Sequence, residues 1–105
     1  MVADDETLAR LMAASQAGDK QAYRTLLGEC ETWLKRYYAR KIGLHVLDDL
    51  VQDTLISLHR KRASYDPTRA FLPWLAAIAR YRWIDHLRKS YRTKEVELNE
   101  ELAAD

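Results

Sequence analysis

Apolar residues recur along this chain at intervals of three and four, the period of an amphipathic helix. No stretch shows the alternation of two that a half-buried strand would need. Leu8, Leu11 and Met12 at i, i+3 and i+4, behind an acidic first turn, predict a helix from about Asp5 to Ala17 with Gly18 as its stop. Asp19 is a good N-cap for a second helix running to about Lys41, with Tyr23, Leu26, Leu27, Cys30, Trp33, Leu34 and Tyr37 as its apolar stripe. Gly43 ends that helix, and Arg40 and Lys41 suit the negative pole of its last turn. A third helix is predicted from Asp48 or Asp49 to Lys61. Its core side is Leu47, Val51, Thr54, Leu55 and Leu58, and its opposite face is Asp49, Gln52, Asp53, Ile56 and Arg60. An isoleucine in the middle of an acidic and amide row faces water unless a partner covers it, whereas a lone exposed apolar residue is also ordinary.

Asp66 and Pro67 signal a turn, and Phe71 with Pro73 opens a long helical pattern in which Pro73 loses nothing by lacking an N–H. Phe71, Trp74, Leu75, Ile78 and Ala79 make one stripe, but Ile84, Leu87 and Tyr91 fall nearly opposite it, with Trp83 at their border. The two halves must therefore bury different faces, by a bend near Tyr81 or by a second contact, for example with the Leu8/Leu11/Met12 helix. After Lys94 the chain turns acidic and small, and reads as a linker or a frayed helix end. The fold class is all-α, one domain in a compact bundle of about four helices.

Charge changes this picture. The formal net charge of +1 over 105 residues conceals a split. Between Leu58 and Lys94 ten cations face only Asp66 and Asp85, a balance of +8, and the rest of the chain carries −7. One polyanion-binding face and a separate acidic one follow. Within the last helix Trp74, Tyr81, Trp83 and Tyr91 are interleaved with Arg80, Arg82, Arg88, Lys89, Arg92 and Lys94. Rings that stack on bases beside cations that hold phosphates suit nucleic acid with unpaired bases; an ordinary core helix with a solvated basic face has the same composition.

Catalytic chemistry finds little support. His45, His59 and His86 lack zinc-ligand spacing, and Asp48, Asp49 and Asp53 come without the glycine-containing loop of a calcium site. No glycine-rich phosphate loop or nucleophile grouping is present. No cofactor is expected. Cys30, the single cysteine, lies on an apolar stripe as a small hydrophobe and fits a reducing compartment. No apolar run nears the roughly 18 residues of a membrane span, and Asp4, Asp5 and Glu6 are unlike a secretory signal, so a cytoplasmic location without membrane insertion is expected.

Four segments, GDKQAYRTLL (18–27), DDLVQDTLISLHRKR (48–62), YDPTRAFLPWLAAIAR (65–80) and WIDHLRK (83–89), resemble in order and spacing region two of bacterial sigma factors of the extracytoplasmic-function (ECF) group. The resemblance runs through nearly the whole chain up to Lys94. It implies a helical domain that binds core RNA polymerase and recognises the promoter minus-ten element as melted, non-template single strand. The family's polymerase-binding helix falls on Asp49, Gln52 and Asp53, with Ile56 and Arg60 on the same face, and its target is the clamp of the largest subunit. The loop that receives a flipped base falls on Ser64, Tyr65, Asp66, Arg69 and Ala70, preceded by Lys61 and Arg62. The helix that reads the element begins at Phe71 and brings Arg80, Tyr81, Trp83, Arg88 and Arg92.

Two departures stand out. Tyr81 occupies a position where the family often has Asn, and Ala77 and Ile78 replace the adjacent aromatic melting residues of housekeeping sigma factors. Weaker melting and stricter dependence on promoter sequence would follow. No counterpart of the family's minus-35-reading region-four domain is expected within these residues. Residues 1–94 thus read as the region-two domain and 95–105 as the start of a linker. An anti-sigma factor is a further implied partner. The competing class is an all-α interaction module whose basic helix binds an acidic protein or structured RNA, and preference for one single-stranded hexamer over duplex separates the two.

Overall fold

The structure, a computed structural model, describes residues 3–104. Four α-helices follow in order: α1 (Asp5–Gln16), α2 (Lys20–Ala39), α3 (Leu44–Lys61) and α4 (Phe71–Ala103), with a 3₁₀ turn (Arg62–Ser64) leaving α3. The Asp4 carboxylate caps α1 by accepting from the Thr7 amide at 2.8 Å. Gly18, at φ 103°, closes the helix in a Schellman arrangement, Asp19 N–H donating to Ala14 O and Gly18 N–H to Ser15 O, both at 3.0 Å. Asp19 then caps α2, accepting from the Ala22 amide at 3.0 Å. These starts and stops lie where the residue types place them.

Three boundaries differ from those the sequence predicts. The second helix stops at Ala39, and Gly43, expected as its terminator, is instead the N-cap of α3, whose backbone carbonyl accepts from Val46 and Leu47. That helix therefore starts at Leu44, a turn ahead of Asp48 and Asp49. Burying Leu47 beside Leu50 and Val51 draws the extra turn into the helix, and packing overrides the capping preference of the aspartates. The last helix runs on past Lys94 to Ala103.

The core is filled by Leu8 and Met12 of α1, Leu26, Cys30, Leu34 and Tyr38 of α2, Leu47, Leu50, Val51, Thr54 and Leu58 of α3, and Phe71, Leu75 and Ala79 of α4. Tyr23, Leu27, Trp33, Tyr37 and Leu55, expected on core stripes, are only partly buried at its rim. Tyr38, which the stripe pattern passed over, is wholly buried because it stands four residues beyond Leu34 in the series 22, 26, 30, 34, 38. Its hydroxyl donates to the Ala79 carbonyl at 2.7 Å and lies 2.8 Å from the Thr54 hydroxyl, joining α2, α3 and α4 at one buried point. Burial pushes this phenol up to about 12, so it stays a donor at any ordinary pH. Burial likewise pushes the Cys30 thiol up to about 12.

Among the described residues the second apolar stripe of α4 stays largely open, with only Trp83 at its border packed against the core and Leu87 half-buried. Helix α4 continues unbroken through Tyr81, and Ile84 and Tyr91 remain 37% and 67% exposed rather than docking on α1. Leu8 and Met12 are already consumed by the central core, which leaves α1 no free apolar face to offer. Among the described residues no helix is long and apolar enough to cross a membrane.

Candidate nucleic-acid and polymerase faces

The loop between the 3₁₀ turn and α4 is held by its own side chains. Asp66 Oδ1 accepts from both the Thr68 amide (2.9 Å) and the Thr68 hydroxyl (2.7 Å), while Arg69 N–H donates to Asp66 O at 3.0 Å. The Thr68 hydroxyl, its amide and the nearby Arg69 charge hold the Asp66 carboxyl below its ordinary range. The buried Tyr65 hydroxyl donates to Arg69 O, and its ring packs edge-on against Phe71 and tilted against Trp74, with centroids 5.4 and 5.3 Å away. From α1, Gln16 Nε2 donates to Arg62 O and Tyr65 O, each at 2.9 Å.

The start of α4 is capped from a distance. Ala70, at the N-cap, offers no side-chain acceptor, and the Asp5 carboxylate takes that role, accepting Phe71 N–H at 3.0 Å and Leu72 N–H at 2.6 Å. Pro73 has no amide to satisfy. Asp5 thus belongs to α1 by sequence and to the start of α4 by function, a pairing no local pattern signals.

Together these contacts shape an open hollow of about 700 Å³ lined by Ser64, Tyr65, Asp66, Arg69, Ala70, Pro73 and Trp74. All five loop residues singled out from sequence meet there. Pro73 and Trp74 were missed because both were read as helix start and core; Trp74 is only partly buried and gives the hollow an aromatic wall. Tyr65 contributes as buried floor, since its ring and hydroxyl are already engaged within the protein.

Along α4 the remaining candidates divide by face. At about 100° per residue, Trp74, Tyr81, Arg88 and Arg92 fall within about 40° of one another, continuing from the hollow. Lys61 of α3 and Arg82 lie over the exposed Tyr81 ring at 5.5 and 4.9 Å from its centroid, so this ring carries two cations. Arg80 is turned about 100° from Tyr81, and Trp83 about 160°. Trp83 packs partly buried against the core and stacks on His86 at 6.0 Å, so the structure does not bring it to the hollow's face. Arg62 also turns away, its Nη1 donating to His59 O at 2.6 Å beside the α1–α2 turn.

On α3, Asp49, Gln52, Asp53, Ile56 and Arg60 are all exposed on one face, as the periodicity requires. Ile56, 49% exposed, is not isolated. With Leu27, Leu55, Gln52 and Arg60 it lines a groove of about 460 Å³ between α2 and α3, bordered by the Tyr23 hydroxyl and His59 Nδ1, 2.7 Å apart. Burial raises the Tyr23 phenol above its ordinary value. Gln52, His59 and Arg60 edge this apolar furrow, and Asp49 and Asp53 lie along the same exposed face of α3, so the surface suits a partner with apolar residues at its centre and cations toward the Asp49 end. Among the described residues no three His, Cys, Asp or Glu side chains gather closely enough to hold a metal ion.

Comparison with known proteins finds similarity to a family profile, to a curated relative and to a solved structure. The profile of Sigma-70 region 2 matches residues 22–93, a span that includes the hollow and the exposed face of α3. The ECF RNA polymerase sigma factor SigF of Caulobacter vibrioides (strain NA1000 / CB15N) is 39% identical over 89 residues, covering 82% of this chain and 50% of that protein. The chain therefore spans about half the length of this relative. Among solved structures, an engineered region 2 of sigmaE in complex with GTAAAA, determined by NMR, superposes with a TM-score of 0.70 at 25% identity, covering 87% of this chain and 93% of the other.

Proposed function

This chain belongs to the Sigma-70 region 2 family, and on that premise we propose that it binds core RNA polymerase through α3 and melted minus-ten promoter DNA through the hollow and α4. A sigma domain is a transcription initiation factor and not an enzyme. The observation that carries the reading is the Ser64–Trp74 hollow, which opens beside an aromatic wall and continues into a row of cations. A nucleobase extruded from the non-template strand is planar and polar at its edges. Trp74 offers a stacking face, and Ser64, Asp66 and Arg69 offer donors and acceptors. Arg88 and Arg92 act through phosphates and position the strand, while the hollow and Tyr81 carry base preference. Asp49, Gln52 and Asp53 meet the clamp of the largest core subunit, with Ile56 seated at the centre of that contact. Residues 1–94 form the binding unit and 95–105 lead out of it. An anti-sigma factor would act by covering either face, and the site of action is the cytoplasm, where the polymerase works.

One binding experiment with two arms tests this. In the first, single-stranded hexamers including GTAAAA are compared with their complements and with duplex by fluorescence anisotropy. One single-stranded sequence should bind tightest. Arg88→Ala should weaken all sequences alike and reduce the salt dependence by roughly one phosphate contact. Equal binding of single strand, complement and duplex would favour a general polyanion-binding module and sink the reading. In the second arm, Asp53→Arg should weaken core-polymerase binding by about 2–5 kcal/mol without loss of helicity. Unchanged affinity would remove α3 from the contact.

A further inference from the structure

Among the described residues the outward stripe of α4 is left open beyond a half-buried Leu87. Leu87, Tyr91, Leu98 and Leu102 lie within about 60° of one another on the helix, over about 22 Å of its length. Tyr91, Leu98 and Leu102 are 67%, 54% and 67% exposed. Helical packing alone does not explain so long an apolar row standing in water, since most helical stability comes from burying such a face.

The charges beside the stripe identify what fits it. Flanking it within about 70°, the half before the midpoint carries Arg88 and Lys94 and the half after it Glu95 and Glu101, with Arg92 and Glu97 farther round and Lys89 and Glu100 on the opposite face. Reading outward in both directions from the Lys94–Glu95 junction, each cation of the first half stands level with an anion of the second: Lys94 with Glu95, Arg92 with Glu97 and Arg88 with Glu101. On the same count Tyr91 answers Leu98 and Leu87 answers Leu102. From this we infer that α4 pairs antiparallel with α4 of a second copy of this chain, about a two-fold axis at the Lys94–Glu95 junction.

In that register Tyr91 stands level with Leu98 of the second copy and Leu87 with its Leu102, so the stripes bury each other. Each basic half then runs alongside an acidic half. A parallel pairing would lay like charges side by side and is disfavoured by the same charges that support the antiparallel one. The contact is isologous, so it closes at two copies. One helix per copy buries less surface than a permanent dimer needs, and the association is weak and concentration-dependent. It does not depend on the DNA-binding reading, although Arg88 and Arg92 could not serve both partners at once.

Sedimentation equilibrium of the chain over a concentration series tests the inference. The weight-average mass should rise from 12.3 kDa toward twice that value. Leu98→Lys should weaken self-association at least tenfold while leaving the thermal midpoint unchanged, because Leu98 is exposed and lies outside the core cluster. A chain carrying Glu97→Lys and Glu101→Lys, and another carrying Arg88→Glu and Arg92→Glu, should each remain monomeric and pair when mixed. Orientation is read by cross-linking: under oxidation Glu95→Cys should form a disulfide with itself, and Leu102→Cys should not. Constant monomer mass at every concentration, no pairing in the mixture, or self-cross-linking at 102 in place of 95 would each overturn the proposal.

Discussion

Trp74 presents part of its ring to the loop hollow and packs the remainder against Tyr65 and Phe71, whereas Trp83, on the far side of the same helix, packs against the core beside His86. From sequence alone Trp74 falls on the core stripe, and Trp83 is set toward the nucleic acid with a structural place over the first helix near Leu8 and Leu11 as its alternative, because the apolar stripe shifts beyond Ala79. Both in fact keep core contact, and only Trp74 also reaches the hollow. Trp74→Ala should therefore lower stability by up to about 3–5 kcal/mol and also reduce single-strand affinity per folded molecule. Trp83→Ala should lower stability with affinity per folded molecule unchanged, and thermal melts alongside single-strand binding distinguish the two. A fully stable Trp83→Ala variant with weakened binding would return that ring to the nucleic acid. Asp66 gives a pH prediction. Its carboxyl is held below the ordinary value of 3.8, mainly by the Thr68 hydroxyl, so its ordering of the loop is complete above that value and is lost as pH falls through the depressed one. Exchange of the Thr68 amide should be steady, apart from its intrinsic pH dependence, down through the ordinary carboxylate range and lose protection only below it.

At the scale of elements, α4 depends on a residue it does not contain. Asp5 satisfies two amides at its first turn, and Asp5→Ala should cost about 1–2 kcal/mol, as loss of a cap does, with added mobility in the hollow that α4 borders. A two-dimensional NMR spectrum of the variant should show its largest shifts at Phe71, Leu72 and the 64–70 loop; shifts confined to α1 would mean the cap is dispensable. This is also where sequence reading runs out. Caps built from neighbours, such as Asp19 with Ala22 or Gly18 after α1, were legible because the chemistry is local. The exposed face of α3 was legible because periodicity alone sets which residues face outward together. The start of α3, the Asp5 cap and the partners of the Tyr38 hydroxyl were not, because each is decided by a helix elsewhere in the sequence. Beyond Lys94 the charges of α4 are those of a solvated segment and read as linker or frayed end; its apolar stripe becomes visible only when the register is followed across Lys94.

For the molecule as a whole, the relation between the two proposed binding faces rests on the buried junction of Tyr38, Thr54 and Ala79. Thr54 sits on α3 within one residue of Asp53, and Ala79 sits on α4 two residues before Tyr81. Tyr38→Phe removes the hydroxyl that joins them and leaves the Ala79 carbonyl without that donor, which should cost about 1–3 kcal/mol in a chemical denaturation curve. The variant should keep its helix content, because the ring still fills the core. A contact of this kind works like the index pin of a dial. A helix turned by one residue swings its side chains through about 100°, so without the pin α4 could settle at a small error of phase against α3 while remaining helical and packed. If the two faces act as proposed, then once polymerase holds one side of the pin, the heading of the DNA on the other side is already chosen. Loosening it would show first as a blurred start point for transcription, ahead of any loss of affinity for either partner.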